Sequence, residues 1–451
     1  MRDIAVTLAV FGSLPFILRR PWIGILVWTW LGFMNPHRLA WGFSTTLPFA
    51  MIVAVTTMVA ILFSREPKKL VWEREMLLML VFLLWMVVTS FAAFFPELAW
   101  QQFEKVAKIF LMIFVATMVI TTRQRLVALV WVIALSIGFY GVKGGIFTLM
   151  TGGAFHVRGP SGTFIDGNNE IGLALAMTLP LLYYLSLSVN RIWVRYAFIG
   201  AMALTVIAAL GTQSRGAMLG LGAMTTFLWL KSRRKFQVGI LIVLAVMFLV
   251  PVMPESWFER MSTVKTYEED ASAQGRIAAW KMAFNLASSR LTGGGFETFR
   301  EWVFNIYGTG SGYVADAHSI YFEVLGEHGW PGLAIFLAIA ASTWLSASGV
   351  IRAAKRSDAL KWLADLMAMV QVSQIAYLAT GAFLGMAYFD YYYSLVLLVA
   401  LAKTIVARHR ASAAALAATG AAPPPVASAN VSPPLGSAAA GKVPGRISVA
   451  R

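Results

Sequence analysis

Apolar residues along this chain come in long runs, with little of the every-other-residue alternation of a half-buried strand. The runs fall at 4–18, 22–34, 46–63, 76–95, 103–120, 125–150, 168–188, 196–212, 216–230, 237–253, 319–350, 362–386 and 391–407. Several approach the roughly 17 to 25 residues that a helix needs to cross about 30 Å of hydrocarbon. Backbone groups inside a bilayer must be satisfied within the segment or by barrel closure, and without strand alternation helices are predicted. The pattern therefore predicts an all-α, polytopic membrane protein of about twelve transmembrane helices, the first two runs short enough to make a hairpin of half-helices. Residues 1–253 form an N-terminal set of spans and 254–317 one large extramembrane loop containing short helices. Residues 318–410 form a C-terminal set of spans, and 411–451 a tail whose Ala, Pro, Ser and Gly content cannot bury a core, predicted disordered and cytoplasmic.

Composition agrees: 59% of the 451 residues are apolar and 13% charged, about half the charged share of a soluble domain. The mean hydropathy is +0.70. The net charge of +16 follows from basic loops rather than from any basic-plus-aromatic module, so no nucleic-acid partner is expected. Five basic clusters fix the orientation: Arg65 to Arg74, Arg123 with Arg125, Arg191 with Arg195, Lys231 to Lys235, and Arg352 to Lys361. Two runs separate each cluster from the next, so all five share one side, which the positive-inside tendency makes the cytoplasm. The turn 151–168, the turn at Gln213 to Gly216, the segment 254–317 and the turn 387–391 then share the outer face. The start, Met-Arg-Asp before an apolar run, lacks a small-residue cleavage site and reads as a retained first helix. With no cysteine and five scattered histidines, neither a metal nor another cofactor is expected.

Three outer-face features could carry chemistry. In Gln213-Ser214-Arg215-Gly216-Ala217, the arginine either snorkels to headgroups or, beside Gly216, Gly220 and Gly222, grips a phosphate bidentately. Gly275-Arg276-Ile277-Ala278-Ala279-Trp280 reads as a short amphipathic helix at the interface, ended by a flexible Gly293-Gly294-Gly295 turn. It is either a membrane-surface element or a second cationic site. His318, at a helix start after Asp316-Ala317, is either structural or, with an ordinary pKa near 6.5, a proton acceptor. A carboxylate should orient such a base, and the candidates are Asp316 and, favoured here, Asp390.

Taken in order, these strings resemble the bacterial O-antigen ligase and polymerase superfamily. His318, Ser319 and an apolar stretch ending Glu327-x-Gly329-x-x-Gly332 are similar to its signature, as are the Gln-Ser-Arg-Gly-Ala turn and the Gly-Arg and Trp pattern ahead of Gly293-Gly294-Gly295-Phe296. So is Gly162-Thr163-Phe164 leading to Asn168-Asn169-Glu170, while Met34-Asn35-Pro36-His37-Arg38 near the start resembles the putative O-glycosylation ligase branch. The resemblance spans roughly residues 1–410, and Ser319 departs from it, standing where many relatives have asparagine. It implies a GT-C-like glycosyltransferase in the bacterial inner membrane with its site facing the periplasm. The implied donor is a glycan on undecaprenyl pyrophosphate, and the implied acceptor is a lipid A core sugar hydroxyl. His318 would be the base and Arg215 and Arg276 the pyrophosphate ligands, in one inverting, metal-independent step. Arg158, Asn168, Asn169, Trp280 and Asp390 would line the substrate site, and membrane lipids would surround it. An O-antigen polymerase and a protein O-oligosaccharyltransferase share this donor. A transporter or flippase is the reading from another class, disfavoured because the ionisable residues cluster at one boundary and inverted repeats are absent.

Overall fold

Each apolar run forms a helix in the computed structural model, which describes residues 1–232, 235–249, 271–310 and 312–419, so that 250–253 of the run 237–253 lie outside it. The N-terminal set is α1 (Arg2–Arg19), α2 (Pro21–Met34), α3 (Phe49–Phe63), α4 (Arg74–Phe91), α5 (Pro96–Val119), α6 (Arg123–Met150), α7 (Asn168–Ser188), α8 (Ile192–Gly211), α9 (Arg215–Lys231) and α10 (Lys235–Leu249). Then come α11 (Ala271–Ser289), α12 (Glu301–Tyr307), α13 (Ile320–Ala354), α14 (Lys361–Gly381) and α15 (Asp390–Thr419). No strand forms among the described residues. Arg233 and Arg234 of the fourth basic cluster, and 254–270 of the large loop with Arg260, Lys265, Glu268, Glu269 and Asp270, lie outside them. Met1–Arg410 cluster as one compact unit and Ala411–Arg451 as a second. The tail expected to be disordered from 411 is helical to Thr419, and 420–451 are not described.

Among the described residues, seven helices are long and apolar enough to span a bilayer: α4, α6, α7, α8, α13, α14 counted from Asp358, and α15 as far as Leu416. The difference from about twelve lies in the shorter or more charged helices. α2 and α3 are apolar but span only 14 and 15 residues. α9 stops at 17 residues, and α5 carries Glu97, Glu104, Lys105 and Lys108 among its 24 residues.

Burial orders the bundle. The apolar windows of α7 and α15 are 83% and 78% buried, against 22% for α8. α7 is apolar around its whole circumference, which suits a central helix walled by other helices. Small residues set the packing distances. Gly141 and Gly145 of α6 sit against Thr205 and the Leu204 carbonyl of α8, where any Cβ would overlap. Gly172 of α7 leaves room for Ala217 of α9, and Gly220 of α9 for Thr380 of α14. Between helices in lipid, such close backbone approach replaces the hydrophobic driving force of a soluble core.

The four segments expected on one face do meet at one end of the bundle. Asn168 Nδ2 donates to the Thr212 carbonyl at 2.9 Å, Gln213 Nε2 to the Gly153 carbonyl at 3.0 Å, Trp280 Nε1 to the Ala317 carbonyl at 2.8 Å, and Ala387 N to Glu323 Oε2 at 2.9 Å. At the other end lie residues of the first, second and last basic clusters. Arg123 stacks over Trp362, and Arg74 Nε donates to Ser342 Oγ at 2.8 Å.

Candidate active site

The Gln213-Ser214-Arg215-Gly216 turn is built residue by residue. Gln213 adopts φ +53°, a left-handed conformation uncommon outside glycine, and its amide ties the 151–168 turn through Gly153 and through His156 Nε2, 2.8 Å from its Oε1. Ser214 caps α9, accepting from Ala217 N at 3.2 Å. Gly216 and Gly220 let α9 close on Thr380. Three residues of the motif thus fix the position of the fourth, Arg215, half-buried at the first turn of α9.

α11 differs from an interfacial helix. Its Gly275, Ala278, Ala279, Met282, Ala283 and Leu286 are buried, several in a small core shared with Val303 and Phe304 of α12. Trp280 is a brace: its ring stacks on Phe322 at 5.0 Å and its N–H holds Ala317, the residue before His318. The indole N–H of Trp280, expected as a substrate-site residue, is therefore committed to the protein.

The glycine run after α11 is stitched down rather than flexible. α13 is broken at Gly329, φ +66° and ψ −171°, with Pro331 just beyond. The Glu327 carbonyl would normally accept from the amide four residues on, but that residue is Pro331 and has no N–H. Gly295 N supplies the bond instead, at 2.8 Å, and Gly294 N does the same for the Gly326 carbonyl at 2.9 Å. Trp85 Nε1 takes the His328 carbonyl at 2.8 Å. The Glu327 carboxylate accepts from Glu297 N at 2.8 Å and from Tyr388 Oη at 2.5 Å. Glu327 and Gly329, from the ending of the signature, form a latch that holds the loop following α11, and Gly332 packs against His328 and Trp85. His328 is fully buried, with Nδ1 2.7 Å from Thr89 Oγ1, a position inside the helix packing.

His318 stands at φ +43°, strained for a residue with a Cβ. It is half-buried between the fully buried Ala317 and Ser319. Three charges from three elements act on it: Asp316 beside it, Arg276 of α11 and Glu170 of α7. Burial dominates and holds the imidazole below the usual histidine range; Asp316 opposes the shift, Arg276 adds to it and Glu170 opposes it. Gly385, in the loop after α14, completes the wall: a Cβ there would lie 3.6 Å from Asp316 Oδ2 and 3.7 Å from His318 N. Asp316, Arg276 and Glu170 thus all bear on His318, while Gly216, next to Arg215, faces Thr380 and Phe383 at the end of α14.

Asp390, favoured as the orienting acid, is not among the charges that act on His318. It is buried at the start of α15 with its carboxylate facing Gly32 of α2, 3.4 Å from where a Cβ would lie. The physical reason is that α15 enters the centre of the bundle at once, so its first turn packs against α2. Asn168 spends its side-chain N–H on Thr212, while Asn169 is half-buried at the same helix start. Arg158 is exposed and lines a separate cleft of about 290 Å³ with Lys143 and His156. Sequence reasoning missed Glu323, which holds the Ala387 amide. The signal was its spacing four before Glu327, which puts both on one face of α13.

Two family profiles match the chain. One, described as O-antigen ligase, covers residues 200–337, from α8 into α13, and so contains Arg215, Arg276 and His318. The other, described as a family of unknown function (DUF5935), covers residues 1–186. No curated protein matches the chain.

Proposed function

Since the chain belongs to the O-antigen ligase superfamily, we propose that it transfers a glycan from undecaprenyl pyrophosphate to a sugar hydroxyl of the lipid A core, at the periplasmic leaflet of a bacterial inner membrane. The observation that carries this reading is the setting of His318: a half-buried, strained imidazole held below the usual histidine range, on which an arginine and two carboxylates from separate elements act.

His318 takes the proton of the acceptor hydroxyl as the oxygen attacks the anomeric carbon. The bond from that carbon to the pyrophosphate oxygen breaks on the opposite side, inverting the configuration. Its electron pair leaves with the pyrophosphate, whose growing charge Arg276 and Arg215 neutralise. Asp316, next in the chain but one, and Glu170 stabilise the imidazolium formed, the duty earlier given to Asp390. Asn169 belongs to the donor side through its place on α7, and Trp280 acts by holding Ala317.

The test is a reconstitution. Purified protein is incubated with lipid-linked glycan and, in separate reactions, with lipid A core, with a second lipid-linked glycan, and with a Ser/Thr-containing peptide. Product on the lipid A core alone is expected. Product on the glycan alone makes the enzyme a polymerase, on the peptide alone a protein O-oligosaccharyltransferase, and product on none removes the transfer reading.

A further inference from the structure

α13 starts beside His318 and ends, 35 residues on, at a cleft of about 590 Å³ that the proposed transfer does not use. One face of α13 lines it, through Leu345, Gly349 and Arg352, which recur at helical spacing, and Arg356 joins them from the turn just after the helix. From α15 come Lys403, Val406 and Arg410, again one face, and Glu73 before α4 is the acid in the lining. Gly349 meets nothing within 4 Å of a Cβ position, so the space beside it is open.

The charges there are of two kinds. Lys403 is paired twice, its Nζ 2.8 Å from Glu73 and 2.9 Å from Glu75. Glu75 is fully buried and also accepts from Ser342 Oγ at 2.8 Å and from Ser346 Oγ at 2.5 Å. This network is closed within the protein. Arg352, Arg356 and Arg410 have no carboxylate within ion-pair reach among the described residues, so three exposed guanidiniums line one cleft without an acidic partner. Like charges brought together this way call for an anion between them. The guanidinium fork suits phosphate oxygens.

The apolar half of the cleft says which anion. Leu345, in a membrane-spanning helix, is 58% exposed, so the cleft runs onto the lipid-facing surface, with Val350 and Val406 along it. A free phosphate has no use for that wall, whereas an acyl chain does. We propose that this cleft is a binding site for an anionic phospholipid, its headgroup phosphate held by Arg352, Arg356 and Arg410 and its first methylenes along Leu345, Val350 and Val406. Basic pockets of this kind between helices suit the anionic lipids of the leaflet toward which basic loops face.

The test uses the full-length protein in phosphatidylcholine nanodiscs, with lipid binding read by native mass spectrometry and by thermal shift. Dioleoylphosphatidylglycerol should bind and raise the melting temperature, while added phosphatidylcholine and millimolar inorganic phosphate should not. The variant carrying Arg352→Gln, Arg356→Gln and Arg410→Gln should lose affinity for phosphatidylglycerol on the order of a hundredfold. Gly349→Leu, which keeps every charge and fills the open space, should weaken it as well. Protection by inorganic phosphate equal to that by the lipid would overturn the proposal, as would unchanged lipid binding in the triple variant. None of these residues belongs to the proposed transfer site, so the result stands or falls apart from transfer activity.

Discussion

His318 is asked to be neutral before it accepts a proton, and the structure sets that condition through burial. A histidine held below its usual range is uncharged throughout neutral pH and charges only as the pH falls through its lowered value. Activity that needs the free base should therefore keep its plateau on descending through pH 6.5, with the acid limb of kcat/KM lying lower. Asp316→Asn removes the charge that most favours the imidazolium, so the limb should move further down while the plateau falls. A limb at or above 6.5, or one that rises in Asp316→Asn, would contradict this electrostatic picture. His318→Ala should cost about 10² to 10⁴ in rate with the fold retained. At Arg276 and Arg215, lysine keeps the charge but not the planar fork, so Arg276→Lys and Arg215→Lys should both be poorly active in the reconstituted transfer assay. Full activity of both would reduce the arginines to general electrostatics. These three positions were legible in the sequence because reactive side chains stand out against an apolar background. Their conformations were not. Left-handed φ at His318, Gln213 and Glu297 is imposed by neighbours distant in sequence. The same holds for the choice between Asp316 and Asp390, which depends on which helix each one packs against.

At the scale of elements, most helices were readable to within a few residues because each apolar run has the length and continuity of a span; the run 168–188 coincides with α7, whereas α5 begins seven residues before its run and α15 continues twelve past its own. What could not be read is how one element completes another. Gly329 and Pro331 look like a helix stop, yet α13 resumes, and the carbonyls left without partners recruit Gly294 and Gly295 from the loop after α11. This makes a prediction about Gly329. Its φ of +66° strains any residue with a Cβ, and that Cβ would run into the Leu291 carbonyl. Gly329→Ala should destabilise the protein by more than about 1 kcal/mol, seen as a lower melting temperature in detergent. Since α11 carries Arg276, transfer should fall with it. Glu327→Gln, which keeps an acceptor for Glu297 N but not for both partners, should be milder than Glu327→Ala. A Gly329→Ala protein that melts like the parent would mean the break is not what docks the loop.

For the whole molecule the open quantity is orientation, and the chain is built to report it. The proposed site lies at one end of the bundle and Arg74, Arg352 and Arg356 at the other, with α13 running between them. Lys and Arg near short loops favour the cytoplasmic side, so the His318 end should face the periplasm. The chain has no cysteine, so a single introduced thiol is the only one a maleimide can find. Asn305, exposed on α12 at the His318 end, and Ala359, exposed between α13 and α14 at the basic end, are suited to it. In intact spheroplasts a membrane-impermeant maleimide should label Asn305→Cys and leave Ala359→Cys untouched until the membrane is permeabilised. The donor glycan and its acceptor can meet the base only if this holds, since His318 and Asn305 share one end of the bundle. The reverse labelling pattern would turn the site toward the cytoplasm. The pyrophosphate chemistry could survive that result, but transfer at the outer leaflet could not.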